Sequence, residues 1–251
     1  MLSLLPIALL SALAGATNSI AGGGTLITFP ALVGLGIPPL VANATSTVAL
    51  VPGSLSSMFG YRNAISNTRM WMGAFATPSI LGGIAGAWLL TITPEERFAN
   101  LVPFLVLGAT VLFLTQRPIL AAINRVRSTP VGEPKPGTAF FVMQFVVAVY
   151  GGYFGAAAGI IMLAALGLMG LRDIHQMNGL KNWAAVCFNG VAAAIFIVSG
   201  LVDWPVALVM AVGAAIGGWT ASKLAQRIPR EVVRGAVGVV GLTAAAWLFL
   251  R

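Results

Sequence analysis

The sequence predicts an all-α polytopic membrane protein made of two inverted repeats, each a broken or re-entrant helix hairpin plus three transmembrane helices. Of the 251 residues, 58% are hydrophobic and 8% are charged, whereas charged residues make up about 25% of a typical soluble domain. Apolar runs long enough to span a bilayer recur along the chain. The third observation is an internal repeat, which divides these runs into two matching sets.

The internal repeat emerges when the sequence is aligned with itself at an offset of 136 residues, which becomes 135 after one loop. The first offset matches Gly15, Ala21 and Gly23 with Gly151, Ala157 and Gly159. The second matches Asn43, Gly82, Gly83, Pro94 and Glu96 with Asn178, Gly217, Gly218, Pro229 and Glu231. Two copies with so long a period are typical of duplicated transporters. We therefore divide the chain into a first repeat at 1–116, a linker at 117–137 and a second repeat at 138–251.

Each repeat contains four apolar blocks, and the first block in each is long and interrupted by glycine. The blocks lie at 3–35, 40–60, 71–91 and 97–116, and at 138–170, 177–199, 204–222 and 232–250. Residues 21–24 interrupt one long block, and the other is interrupted by Gly151, Gly152, Gly155 and Gly159. Glycine runs weaken helices because they add backbone entropy. We expect each long block to form a pair of helices.

The distribution of Lys and Arg orients the blocks in the membrane. If every block crosses once, the 14 basic residues divide seven to seven between the two sides. If the interrupted blocks are re-entrant, twelve share one side and only Arg97 and Arg251 face the other. Cytoplasmic loops are rich in Lys and Arg, so we favour six full spans, two hairpins, both termini outside and a cytoplasmic linker. Three crossings per repeat invert the second copy. Eight plain spans remain the alternative.

The net charge of +8 bears on the partners of the protein. Because basic residues alternate with apolar runs, the expected partner is the anionic inner leaflet of a lipid bilayer and not nucleic acid. The N-terminal segment has an Ala12-Leu13-Ala14 pattern like that of a signal-peptide cleavage site, but it lacks a basic start and belongs to the repeat. We expect it to remain in the mature protein.

Two polar stripes follow the interrupted blocks. One comprises Asn43, Ser46, Thr47, Ser54 and Ser57, and the other comprises Asn178, Lys181, Asn182 and Asn189. Their spacings of three and four residues place each set on one helix face, turned away from lipid. Such side chains commonly hydrogen-bond neighbouring helices. Two matched stripes in an inverted pair favour the other interpretation, which is a pathway lined by polar side chains.

The glycine break in the first repeat suggests an anion site. A helix that begins after Gly24 would direct free N–H groups and a positive dipole end at a cavity. Asn18, Ser19 and Thr25 are available there as side-chain donors. The alternative explanation of the three glycines, Gly22, Gly23 and Gly24, is that they allow close helix packing.

Lys181 occupies the repeat position of Ser46, about one turn into a predicted span. Two interpretations stay open: its long chain reaches the interface and leaves the ammonium in water, or the ammonium pairs with an anion. No Asp or Glu falls in the middle of a predicted span, which disfavours cation transport and carboxylate proton relays. With one histidine and one cysteine in the chain, we expect no metal site.

The motifs that carry this pattern resemble a known family. The run from Gly15 to Leu32 is similar to the opening motif of the sulfite exporter TauE/SafE family, and the run from Ala42 to Thr47 is similar to its next motif. Residues 151–159 and 178–182 resemble the second-half copies of these motifs. The resemblance implies a permease of the bacterial inner membrane that needs no cofactor. It also implies a substrate such as sulfite, an organosulfonate or a related sulfur or carbon anion.

We therefore predict a secondary transporter, not an enzyme, that moves a small anion by alternating access at a site between the repeats. The predicted substrate-binding residues are Asn18, Ser19, Gly22, Gly23, Gly24, Thr25, Asn43, Ser46, Thr47, Gly155, Gly159, Asn178, Lys181 and Asn182. A homodimer is compatible with this prediction. The alternatives are a non-transporting membrane scaffold and, less favoured, an intramembrane enzyme, which would need clustered His, Asp or Glu side chains.

Overall fold

The structure is a computed structural model, and it describes residues 4–66, 68–116, 118–119, 121–122, 136–169, 171, 173–224 and 230–250. These residues contain ten α-helices and no β-strand. The first half holds α1 (Leu4–Ile20), α2 (Thr25–Gly34), α3 (Pro39–Gly60), α4 (Arg69–Thr91) and α5 (Glu95–Leu114). The second half holds α6 (Thr138–Tyr153), α7 (Ala158–Leu168), α8 (Ile174–Val198), α9 (Trp204–Leu224) and α10 (Arg230–Leu250). Most of the predicted 117–137 linker lies outside the described residues.

The helices confirm a polytopic membrane protein. Four of them, α4, α5, α8 and α9, are long and apolar enough to cross a bilayer. The two other predicted spans, α3 and α10, have 22 and 21 residues and are therefore long enough to cross. Helix α3 is less apolar because it carries the first polar stripe. Large apolar side chains face outward along the long helices, as in Phe104, Val212 and Val239, which are 64%, 62% and 63% exposed. Apolar exposure of this extent suits contact with lipid rather than water.

The first long block breaks where the sequence predicts. Helix α1 ends at Ile20, and α2 begins at Thr25 after the glycine run. Gly22 has a φ of +82°, a left-handed conformation that side chains with a Cβ adopt only at a cost. The break therefore uses the one residue type that takes this conformation without strain.

The second long block breaks later than predicted. Gly151 and Gly152 lie inside α6, and the break falls at residues 154–157, where Gly155 and Ala157 have φ values of +78° and +63°. The two helical glycines serve packing instead. A Cβ on Gly151 would lie 2.6 Å from the Phe188 ring, and a Cβ on Gly152 would lie 2.6 Å from a main-chain oxygen of α4. Close backbone approach, and not helix termination, explains this pair.

The two halves are interleaved. Helix α1 packs against α9, and α6 packs against α4, so the first helix of each half lies against the fourth helix of the other. Helices α3 and α8 contact each other. In addition, α3 packs against α9 and α8 packs against α4, which are the fourth helices of the opposite halves. Helix α5 packs against α10. The core of the protein is thus shared between the halves.

Glycines allow these helices to approach closely. A Cβ on Gly217 of α9 would collide with the carbonyl group of Ala12 in α1, and one on Gly86 of α4 would collide with the carbonyl oxygen of Val149 in α6. The lipid-facing Gly108 of α5 has nothing within 4 Å of its Cβ position. In a bilayer, where apolar burial does not drive helices together, small residues at the contact supply much of the packing.

Gly217→Ala should destabilise the protein and Gly108→Ala should not. The methyl group at position 217 must displace the α1 backbone, and overpacking of this kind costs about 1–3 kcal/mol. Thermal unfolding of the detergent-solubilised variants tests this, and we expect the melting temperature of Gly217→Ala to fall by roughly 2–10 °C. Equal melting temperatures for the two variants would contradict the proposed role of Gly217.

Candidate functional site

The two chain breaks and the middle of α3 and α8 surround a cavity of about 20 Å³, which has room for roughly one water molecule. Its lining comprises Asn18, Thr25, Thr47, Leu50, Gly155, Ala158, Gly159, Met162, Lys181, Asn182, Ala185, Phe188 and Asn189. Seven of the fourteen predicted binding residues are among them: Asn18, Thr25, Thr47, Gly155, Gly159, Lys181 and Asn182. The structure therefore brings half of the predicted set to one place.

Lys181 is buried where the two halves meet, with 1% of its surface exposed. Its ammonium donates hydrogen bonds to the main-chain oxygens of Asn18, at 2.7 Å, and of Ser19, at 3.1 Å. These oxygens belong to the last turn of α1, where a helix presents unpaired carbonyl groups and the negative end of its dipole. The burial shows that the snorkelling interpretation is wrong. The side chain caps α1 and also lines the cavity.

Asn43 makes the matching contact at the other break. Its amide Nδ2 donates a hydrogen bond of 2.9 Å to the main-chain oxygen of Tyr153, the last residue of α6. Asn182, beside Lys181, donates a longer bond of 3.4 Å to the main-chain oxygen of Ser19. Each broken helix thus has its carbonyl end bound by a polar side chain from the opposite half of the chain.

The N-termini of both short helices reach the cavity. Thr25, the first residue of α2, and Ala158 and Gly159, the first residues of α7, are all in the lining. Neither helix has a side-chain cap at its N-terminus. Helix N-termini carry the positive end of the helix dipole, although the N–H groups of Leu26, Ile27, Ala158 and Ile160 already donate to main-chain oxygens of the two breaks. Together with the Lys181 ammonium, these dipole ends make the cavity favourable for negative charge.

The predicted glycines divide between two roles. Gly22 lies against Gly159, because a Cβ on Gly22 would be 2.9 Å from the Gly159 Cα atom, so the two breaks touch backbone to backbone. Gly23 and Gly24 lie outside the lining and fit the packing interpretation. A Cβ on Gly23 would be 2.5 Å from the Phe113 ring, and one on Gly24 would be 2.6 Å from a carbonyl oxygen of α1.

The first polar stripe is buried, as predicted, but much of it joins helices. Ser46 is outside the cavity lining. Its Oγ lies 2.5 Å from the Thr28 hydroxyl of α2, and the two hydroxyl groups share a hydrogen bond. Ser54 accepts a 3.2 Å bond from the Asn18 amide. The interhelical interpretation therefore fits Ser46 and Ser54, whereas Thr47 lines the cavity.

Several buried polar atoms near the cavity have no hydrogen-bond partner in the described part of the chain. They are Ser19 Oγ, Asn43 Oδ1, Asn182 Oδ1 and both amide atoms of Asn178. These four residues are at most 1% exposed. An unsatisfied buried polar group costs about 1–3 kcal/mol, and native proteins usually satisfy such groups with water or a ligand. The region therefore suits a hydrated or ligand-binding site better than a dry core.

Part of the lining has no signal in the sequence. Leu50, Met162, Ala185 and Phe188 are apolar residues in an apolar chain, and only the three-dimensional arrangement identifies them. Asn189 was in the second polar stripe but not in the predicted site, although its position on the helix face of Lys181 and Asn182 indicated it. The four apolar residues give the cavity a partly apolar wall.

Acidic side chains are confined to helix ends among the described residues. Glu95 and Glu96 lie in the first turn of α5, Asp173 caps the N-terminus of α8 through the N–H groups of residues 175 and 176, and Asp203 precedes α9. The cavity lining contains no carboxylate, and the described residues hold no group of three or more His, Cys, Asp or Glu side chains. The lining thus carries a positive side chain and no negative one.

Comparisons with known proteins identify a family and similar membrane transporter proteins. The family described as "Sulfite exporter TauE/SafE" matches residues 7–248. A "Probable membrane transporter protein YfcA" of Escherichia coli (strain K12) is 30% identical over 239 residues, which cover 94% of this chain and 86% of the relative. A "Probable membrane transporter protein ORF9" of Sinorhizobium sp. is 28% identical over 239 residues, which cover 93% and 87%.

Gly22→Ala should destabilise the protein more than Gly36→Ala. Both glycines have positive φ, +82° and +87°, so alanine costs roughly 1–2 kcal/mol of backbone strain at either. Only Gly22 also contacts another backbone, while Gly36 has nothing within 4 Å of its Cβ position. Thermal unfolding should therefore show a melting temperature several degrees lower for Gly22→Ala. Equal values would indicate that the two breaks do not touch.

Proposed function

The chain belongs to the sulfite exporter TauE/SafE family, and from this premise we propose that it is a secondary transporter of a small anion in the bacterial inner membrane. The substrate is sulfite, an organosulfonate or a related sulfur or carboxylate anion. The relatives are themselves described as probable membrane transporters, which favours transport over catalysis or a scaffold role.

The observation that carries this proposal is the charge of the cavity. Lys181 lines it, two helix N-termini open onto it, and no lining residue is acidic. Burying a lysine within the membrane costs free energy, so such lysines are rare and usually serve a function. Uncapped helix N-termini at the bilayer midplane serve anionic substrate groups in transporters with broken helices. The amide groups of Asn18, Asn182 and Asn189 add uncharged donors around the same space.

Alternating access between two inverted repeats accounts for the helix arrangement. Each half has two short helices followed by three helices of 20 residues or more. The first helix of each half packs against the fourth helix of the other half. The cavity contains repeat-equivalent pairs, Leu50 with Ala185 and Thr47 with Asn182, as expected near a pseudo-two-fold axis. Since the cavity holds only about one water molecule, the lining helices must separate to admit an anion.

Uptake into proteoliposomes tests the proposal. Wild-type protein should take up labelled sulfite, thiosulfate or an organosulfonate such as taurine or sulfoacetate with saturable kinetics. Lys181→Met should reduce the initial rate at least about tenfold, because a hydrogen bond to a charged group contributes roughly 1.5–3 kcal/mol. Lys223→Met is the matched control, since Lys223 is exposed near the end of α9 and its loss removes the same charge away from the cavity.

Lys181 also caps α1, so the folding of the variant needs its own measurement. Anions that are transported should raise the melting temperature of wild-type protein and of Lys223→Met, because binding to the folded state stabilises it. They should not raise that of Lys181→Met. A folded Lys181→Met protein that transports as fast as wild type would remove Lys181 from the site, and no anion uptake by wild type would contradict the transporter proposal.

The proposed topology places both termini in the periplasm and the 117–137 linker in the cytoplasm. Alkaline phosphatase, which needs disulfides and so is active only outside the cytoplasm, should be active when it is fused after Arg251 and inactive when it is inserted in the linker. Eight plain spans would place the linker and both termini on the same side. Equal activity at the two positions would therefore favour that alternative.

A further inference from the structure

A second polar region lies next to the cavity, along the N-terminal part of α8. Asn178 is one helical turn before Asn182, so both project from the same face of α8. Asn182 lines the cavity and donates to the Ser19 main chain. The unpartnered atoms of Ser19, Asn178 and Asn182 are therefore grouped around one turn of α8. Ser19 and Asn178 are not part of the cavity lining, so this region extends beyond it.

The opposite side of the cavity has fewer unpartnered polar atoms. Asn43, the repeat counterpart of Asn178, leaves only its Oδ1 unpartnered and binds Tyr153 with its Nδ2. Beside it, the ring of Phe154 lies 5.4 Å from that of Phe29 and 6.4 Å from that of Phe98, in edge-to-face contacts. Aromatic clusters of this geometry are well-packed apolar barriers. The Asn178 side has more unsatisfied polar atoms. Rings pack there too, since Trp71, Phe75 and Phe140 make edge-to-face contacts in the same core cluster as Met177 and Leu180 of α8.

A short turn covers the Asn178 side. Residues 61–66 follow α3 and fold back across the first turns of α8. A Cβ on Gly179, the neighbour of Asn178, would lie 3.2 Å from the Tyr61 Cβ and 3.7 Å from the Ile65 Cβ. The Tyr61 and His175 rings are 6.1 Å apart. Tyr61 and Ile65 are 4% and 6% exposed, so the turn is packed onto the part of α8 that contains Asn178.

We propose that Ser19, Asn178 and Asn182 form an outer subsite for the transported oxyanion and that residues 61–66, the flap, open to connect it with the cytoplasm. This inference rests on the proposed function. Asn178 Nδ2 and the Ser19 hydroxyl are uncharged donors, which hold an oxyanion less strongly than the Lys181 ammonium does. A weaker outer site lets the ion pass and does not trap it. Arg62 is exposed in the flap and attracts anions to its outer face.

A reversible cross-link tests the flap. The 3.7 Å separation of the Cβ positions at 65 and 179 lies within the range of about 3.5–4.5 Å that disulfides require. The double variant Ile65→Cys/Gly179→Cys, in a Cys187→Ala background, should transport when reduced. Oxidation should slow the uptake of sulfoacetate at least tenfold, and reduction should restore it. Sulfoacetate is the probe because sulfite itself cleaves disulfide bonds. The reduced protein is the matched control, because it carries the same two substitutions without the bond. The Ile65→Cys single variant, which cannot form the bond, controls for the effect of the oxidant.

The outcomes separate this inference from the proposed function. Undiminished uptake by the oxidised variant, with the disulfide verified by mass spectrometry, would overturn the flap and leave transport standing. No uptake of any anion by wild-type protein would overturn the transporter proposal and the outer subsite with it.

Chemical labelling tests the subsite if the cross-link variant does not transport even when reduced. Asn178→Cys, again with Cys187→Ala, should react with a membrane-impermeant thiol reagent in inside-out vesicles and not in right-side-out vesicles. Saturating sulfoacetate, which unlike sulfite does not consume thiol reagents, should slow the reaction severalfold. Absence of labelling from either side, or labelling from the periplasmic side alone, would overturn the proposed passage.

Discussion

Two helices that end within the protein leave carbonyl groups with no partner in their own chain segment, and the rest of the structure depends on how those ends are satisfied. Lipid offers no hydrogen bonds, so broken helices persist in membranes only where protein or a polar cavity completes them. Lys181 binds the end of α1, and Asn43 binds the end of α6. Because each capping residue comes from the opposite half, neither half completes its own break, and the site exists only when both assemble.

The same contacts explain why the cavity favours anions. The carbonyl ends of α1 and α6 are occupied by donors, while the uncapped N-termini of α2 and α7 open onto the cavity. Their positive dipole ends and the Lys181 ammonium are then the main charges that a ligand meets. Close glycine contacts between α1 and α9 and between α4 and α6 hold the broken helices at a distance that keeps these groups together.

The sequence predicted the features that depend on composition and spacing. Its composition and spacing predicted the break before Thr25 and the burial of the first polar stripe and of most of the second, including Lys181. It failed where one residue type serves two purposes: Gly151 and Gly152 resemble a helix break but permit packing against Phe188 and α4. Ser46 looks like a pathway residue, yet it pairs with Thr28. Apolar lining residues such as Met162 have no periodic signal. These distinctions depend on contacts between distant segments, which spacing alone does not encode.

The central claim is that a small oxyanion binds beside Lys181, between the two breaks. Selenite has the shape and charge of sulfite and contains an atom that scatters X-rays anomalously, so crystals of the protein grown with selenite locate the anion directly. The account predicts one selenium peak per chain within about 4 Å of the Lys181 ammonium, the usual range of an ion pair, and its loss in Lys181→Met. A selenium peak elsewhere in the protein, in crystals of a protein that transports sulfite, would contradict it.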